Sequence, residues 1–201
     1  MNKLAPTSFP IAPLIAQRWS ARAIDEARPV SDEHLQIVLE AARWAPSCFG
    51  EQPWAYIVWN RYVSPEAWHR ALACLTPKNQ LWAKRAPILM ASIADPIFRQ
   101  TQKPNRWAQH DVGAASENLC LQAVELGLVA HQMGGFDQEK LKLTFNIPEP
   151  HICLAMIALG HPGDVQLLEA ELREAELGPR KRKALQENFF SATWGAPISL
   201  P

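Results

Sequence analysis

The chain has 201 residues, 48% of them apolar and 20% charged, and its 20 Lys and Arg balance 20 Asp and Glu. A chain of this length buries roughly 70% of its unfolded surface, enough for one core without staples. Zero net charge gives no general attraction for nucleic acid or anionic lipid, and no apolar run approaches the roughly 18 residues of a membrane span, so neither is expected as a partner.

Residues 1–17 read as an N-terminal arm, and the prolines in MNKLAPTSFPIAPLIAQ interrupt what would otherwise resemble a secretory signal. The first strong element is a helix over 31–45. Ser31 is its cap, Asp32 and Glu33 suit the positive end of its dipole, and Val30 can staple onto Leu35. Leu35, Val38, Leu39 and Ala42 recur at helical spacing until Pro46. Tyr56 to Trp59 then reads as a strand, 64–74 as a helix, and Ile88 to Ala94 as a buried strand closed by Asp95-Pro96. Over 110–127, Val112, Ala115, Leu119, Ala123 and Leu126 form one stripe, widened by Leu121, Val124 and Leu128, which predicts a central helix ending at Gly127. Leu128 to Met133 predicts a strand running into Gly134-Gly135. Asp137 predicts the cap of a short helix stapled by Phe136 and Leu141 and stopped at Asn146-Ile147-Pro148. Ile152 to Leu159 predicts a strand ended by the turn Gly160-His161-Pro162-Gly163. Leu167 to Leu177 predicts a helix charged on its outer face. Gly178-Pro179 breaks into Arg180-Lys181-Arg182-Lys183 and then an apolar extension over 188–201. Interleaved strands and helices predict a mixed sheet covered by helices in a single domain over 1–201.

Several chemistries have no sequence signature. The four cysteines, Cys48, Cys74, Cys120 and Cys153, form no Cys-x-x-Cys pair, which argues against zinc or a disulfide framework and fits a reducing cytoplasm. The six histidines include no His-x-x-x-His pair, so no metal ligand set is visible. There is no Gly-x-Ser-x-Gly elbow and no glycine-rich phosphate loop of either common type. Any bound phosphate must therefore be held by side chains. Arg18-Trp19-Ser20-Ala21-Arg22 has the composition for that, with two guanidinium forks and a hydroxyl, although a solvated basic turn reads the same way. Ala45-Pro46-Ser47-Cys48-Phe49-Gly50-Glu51-Gln52-Pro53-Trp54 is a loop stiffened by two prolines, the kind of rigid connection that carries binding groups.

These two segments together carry a family resemblance. "RWSAR" followed by "VLEAARWAPSCFGEQPW" resembles the flavin-dependent nitroreductases, and "NQLWAKRAPILM", "DVGAASENLCLQAVELGL", "GGFD", "AMIALGHPGD" and "RKRKALQE" follow in order. The resemblance spans about Ile11 to Glu187. It implies an α+β, three-layer fold with a central mixed, mostly antiparallel sheet flanked by helices, assembled as an intertwined homodimer with FMN at each interface.

By position, Arg18, Ser20 and Arg22 would meet the FMN phosphate and neighbouring polar atoms, with Trp19 packed beside them. Arg182, with Arg180 as its rival, would close the phosphate site. Pro46, Ser47, Cys48 and Gly50 would come from the partner subunit to line the ring. Asn79 would meet its pyrimidine edge, and Gly134 and Gly135 would lie near flavin N5. Two positions depart from the family pattern: Gly50 stands where Asn is usual, and Gly134 where some members carry Glu. Cys48 reads as a small packing residue or as a redox thiol beside the ring. The resemblance implies NADH or NADPH as donor, a nitroaromatic, quinone or similar small molecule as acceptor, and ping-pong kinetics with no catalytic side chain. A flavin-binding sensor or chaperone without turnover is the alternative, and a cofactor-free dimerisation domain a third. The surplus of 8 Trp has no assigned role beyond packing, apart from Trp19 and Trp54 inside the motif segments.

Overall fold

A computed structural model describes residues 3–199. Its elements in chain order are α1 (Pro13–Gln17), α2 (Asp32–Arg43), β1 (Trp54–Asn60), α3 (Pro65–Leu72), α4 (Pro77–Ala83), β2 (Ile88–Ala94), α5 (Ala108–Glu125), β3 (Val129–Met133), α6 (Gln138–Phe145), β4 (Ile152–Gly160), α7 (Ala170–Leu177) and α8 (Leu185–Asn188). The strands form one sheet in the order β1-β2-β4-β3, and every pairing is antiparallel. The largely antiparallel sheet expected from sequence is therefore present, without a parallel pair among the described residues.

β2 and β4 are the central strands, and side-chain alternation sends their residues to two separate cores. Leu89, Ala91, Ile93, Met156 and Ala158 point to one face, where Trp59, Trp68, Trp82, Met133 and Leu141 are buried. Ile88, Met90, Ile157 and Leu159 point to the other, against Val38 and Ala42 of α2 and Ala115, Leu119, Cys120 and Ala123 of α5. The result is helix, sheet and helix in three layers, with β2 buried along its whole length.

The caps follow the sequence signals. The Ser31 side chain accepts the His34 N–H, and the Asp137 side chain accepts that of Lys140. Asn146 ends α6 in the left-handed region, at φ 53°, which Asn tolerates better than most residues. Three helices were not anticipated, α1, α4 and the four-residue α8, and the first two begin on a proline, Pro13 and Pro77. Proline is favoured at the first helical position because the N–H it lacks there would have no partner anyway. The helix expected from Leu167 starts only at Ala170, after a separate 3-10 turn over Val165–Leu167.

Leu119 has no exposed surface and sits where α5 meets the sheet. Leu119→Ala should cost about 2–5 kcal/mol through lost burial and the cavity left behind, read as a lower urea midpoint at unchanged slope.

Candidate functional site

After α1 the chain becomes extended and is tied down at several points. Ile24 pairs with Pro162 in an isolated antiparallel bridge, the Asp25 N–H donates to the His161 carbonyl at 2.9 Å, and the Gly163 N–H donates to that of Ala23 at 2.8 Å. The strands of chain come so close that a Cβ on Gly163 would lie 2.5 Å from the Ile24 carbonyl carbon. Glu176 of α7, only 1% exposed, adds the decisive anchor. One carboxylate oxygen accepts the N–H groups of Arg22, at 2.7 Å, and Ala23, at 3.1 Å. The other lies 3.6 Å from the Arg22 guanidinium and has no hydrogen-bond partner.

This anchoring turns Arg18 and the residues after it toward the C-terminal basic stretch. Arg180 donates to three main-chain carbonyls, Lys3 at 2.9 Å, Ala16 at 2.7 Å and Arg18 at 2.9 Å, so its guanidinium is a structural clamp. Its pKa is lowered first by burial and then by the charges of Arg18 and Arg182. Arg182 is exposed, and its one hydrogen bond among the described residues goes to the carbonyl of Lys181 at 2.8 Å. Arg18 pairs with Glu117 of α5 at 3.1 Å, a carboxylate that is itself 48% exposed. Ser20 is exposed, and Trp19 packs on the core with the Lys3 ammonium 4.8 Å over its ring. Of the two rivals, Arg182 is thus the one free to meet an anion.

β3 connects this cluster to the glycines. His131 lies against the Ala21 carbonyl, 3.1 Å from Nδ1, and stacks on Trp82 with ring centroids 4.5 Å apart. From His131 to Gly134 the strand covers about 10 Å at the usual rise per residue. Gly134 faces open space, with nothing within 4 Å of where its Cβ would be. Gly135 differs: a Cβ there would lie 2.7 Å from Asn79 Nδ2 and 3.0 Å from Thr76 Oγ1. The Asn79 amide donates to the Gly135 carbonyl at 2.9 Å, leaving its oxygen and second N–H unspent. The fold therefore brings Asn79 and Gly135 together and leaves Gly134 as the open approach.

The loop after α2 is held by α5. Asp111, 3% exposed, accepts the Cys48 N–H at 2.9 Å, and its other oxygen lies 3.1 Å from His110 Nδ1. Ser47 Oγ accepts the Gln52 N–H at 3.0 Å, while Pro46 is exposed. Phe49, Gly50 and Gln52 all have positive φ, at 54°, 67° and 52°. Two of these are not glycine, so the loop stores backbone strain that the tether to Asp111 helps to hold. Trp44 is 73% and Phe49 94% exposed, giving this end of the molecule an apolar face.

The sequence-derived residues thus fall into three groups. Arg18, Ser20, Arg22, Arg180 and Arg182 lie at one end of β3, Asn79, Gly134 and Gly135 at the other, and Pro46, Ser47, Cys48 and Gly50 on the loop held by Asp111. Glu117, Glu176, His131 and Asp111, which position or neutralise them, were not anticipated. Asp111 alone had a sequence signal: at 111, 115, 119 and 123 it continues the buried stripe of α5.

The Nitroreductase family profile matches residues 15–161. A protein of Archaeoglobus fulgidus, provisionally named NADH dehydrogenase/NAD(P)H nitroreductase, is 32% identical over 155 residues, covering 75% of this chain and 84% of the relative. The major NAD(P)H-flavin oxidoreductase of Aliivibrio fischeri is 22% identical over 218 residues, covering 90% of this chain and 97% of its own. A crystal structure described as an oxidoreductase containing FMN superposes with a TM-score of 0.88 at 34% identity, covering 94% of this chain and 96% of that one.

Burial pushes the pKa of His131 down from 6.5 to about 4, against the opposing effect of its bond to Ala21. The native imidazole then stays neutral where an unfolded one protonates, so the unfolded state binds more protons between these values. Stability should be complete above about pH 6.5 and fall by about 3 kcal/mol as pH drops to about 4. In His131→Asn, denaturant titrations across this window should show a correspondingly shallower dependence.

Proposed function

The chain belongs to the nitroreductase family, and on that premise we propose that it is an FMN-dependent oxidoreductase that takes reducing equivalents from NADH or NADPH and passes them to a nitroaromatic, quinone or similar small acceptor. The observation that carries the proposal is that Arg180 clamps the main chain at Arg18, bringing Arg18, paired only with the half-exposed Glu117, near Arg182, which makes no ion pair among the described residues. Such a surplus of fork donors calls for a multiply charged anion. Open space at Gly134, about 10 Å along β3 from His131, suits a flat ring whose phosphate tail reaches back to the arginines.

In this reading Arg18, Ser20, Arg22 and Arg182 hold the phosphate, and Arg180 fixes the main chain on which Arg18 stands. The free amide atoms of Asn79 meet the polar edge of the ring, and Gly134 admits it without a side chain in the way. Pro46, Ser47, Cys48 and Gly50 of a second copy line the ring, which makes the working unit a homodimer. Phe189 and Trp194, 55% and 92% exposed, would lie on that copy as part of the C-terminal extension. Bound FMN would supply the redox chemistry, a two-electron exchange between nicotinamide and acceptor. The protein's own contribution is orientation and exclusion of water, so no side chain need serve as acid or base. Donor and acceptor using one face in turn gives parallel initial-rate lines, whereas intersecting lines contradict a shared site.

The purified protein should be yellow and bleach under anaerobic addition of NADH or NADPH. Yellow protein that neither donor bleaches would instead favour a flavin-binding sensor. Arg18→Ala should weaken FMN retention by about 1.5–3 kcal/mol, the range for a bond to a charged group. Glu117→Gln, which frees Arg18 from a competing carboxylate, should tighten it by up to about 1 kcal/mol. Both are read by equilibrium dialysis of the flavin, and unchanged retention in both would move the phosphate elsewhere.

A further inference from the structure

A third concentration of positive charge lies outside the two arginine clusters. Between Asp95 and Asp111 the chain carries Arg99, Lys103 and Arg106 and no acidic residue, although its overall charge is zero. The segment folds as a tight hairpin between β2 and α5. Ile97 bridges Pro104, the Phe98 N–H donates to the Lys103 carbonyl at 2.9 Å, and the Asn105 N–H donates to that of Pro96 at 2.7 Å.

The surrounding carboxylates are engaged with other partners. Asp95 accepts the Ile97 N–H at 3.1 Å, Glu51 accepts the Arg99 N–H at 2.7 Å, and Asp111 is buried against Cys48 and His110. Arg99, Lys103 and Arg106 are exposed, and none makes an ion pair among the described residues. The Arg106 guanidinium lies 4.5 Å over the ring of Trp107, which is 42% exposed.

The hairpin is tied directly to the loop proposed to line the flavin. Phe49 meets Phe98 edge to face at 6.1 Å, and the Asp95 N–H donates to the Pro53 carbonyl at 2.8 Å, beside the Glu51 bond to Arg99. A nicotinamide stacked at that ring would trail its diphosphate and adenosine outward past this loop.

We propose that Arg99, Lys103 and Arg106 of the hairpin over 96–107 bind the 2′-phosphate of the nicotinamide dinucleotide, and so select NADPH over NADH. The inference rests on the oxidoreductase reading above and extends it to donor choice. The extra phosphate is a dianion, and unpaired guanidiniums bind it through charge-assisted hydrogen bonds that the 2′-hydroxyl of NADH cannot match. The exposed face of Trp107 offers the adenine a stacking surface.

The test compares the holoenzyme with the triple variant Arg99→Ser, Lys103→Ser, Arg106→Ser, all at exposed positions. Two readouts are used: anaerobic flavin bleaching by each donor in stopped flow, and calorimetric binding of adenosine 2′,5′-bisphosphate against AMP. The wild-type protein should favour NADPH by at least about tenfold, as expected for a charged contact, and the variant should lose that preference while its flavin content and NADH constants stay within about twofold. The bisphosphate should bind at least about tenfold more weakly to the variant, and the wild-type preference should shrink as ionic strength rises. Equal reduction by both donors in the wild type, survival of the NADPH preference in the variant, or an equal loss with both donors would each overturn the proposal. Flavin bleached by neither donor would overturn the oxidoreductase reading, and this proposal with it, an outcome distinct from bleaching by both alike.

Discussion

The carboxylate of Glu176 is the contact on which the site's geometry depends. A carboxylate that is 1% exposed is costly to bury, and what compensates it here is two main-chain N–H donors and the nearby Arg22 guanidinium. Because those donors belong to residues 22 and 23, the same bonds fix the path of the segment carrying Arg18 and Ser20. Glu176 also stands four residues before Arg180, in the last turn of α7, so it ties the N-terminal and C-terminal guanidiniums to one point. Arg180 completes the tie from the opposite direction through the carbonyls of Lys3, Ala16 and Arg18. Two basic segments more than 150 residues apart are thereby held together against their mutual repulsion.

Much of the scaffold could be read from periodicity, and the reasons for the misses are physical. α2 and α5 carry apolar stripes at helical spacing, and β2 and β4 are continuous apolar runs, so their type and location followed directly. α1 was lost because its prolines were read as interruptions, and α4 because Pro77 was not read as a first helical residue. The candidate segments were legible through motif composition, but the groups that hold them were not. Glu176 lies in a run with Glu169, Glu171 and Glu174, and nothing local separates the buried acid from its solvated neighbours. Its role exists only once α7 is packed against residues 22 and 23. The division of labour between Arg180 and Arg182 is likewise a tertiary fact, since two arginines two residues apart look alike until one is found enclosed by carbonyls.

The tryptophans divide in a way composition could not show. Trp59, Trp68 and Trp82 fill the core on one face of the sheet. Trp44, Trp107 and Trp194 instead stay exposed, with Trp44 oriented by an indole N–H bond to Glu40 at 2.8 Å. Large exposed indoles are unusual on a surface that faces only water and mark faces suited to contact.

The helix α5 touches both halves of the arrangement, through Asp111 to the strained loop and through Glu117 to Arg18. Those two carboxylates are about 9 Å apart along the axis. One inserted residue between them would rotate one against the other by about 100° and pull either the loop or the arginine out of place. The stretch from 112 to 116 should therefore tolerate changes of side chain at its outward positions, such as Gly113, but no change of length. Its residue count is the constrained quantity, a gauge that keeps two distant polar contacts in phase.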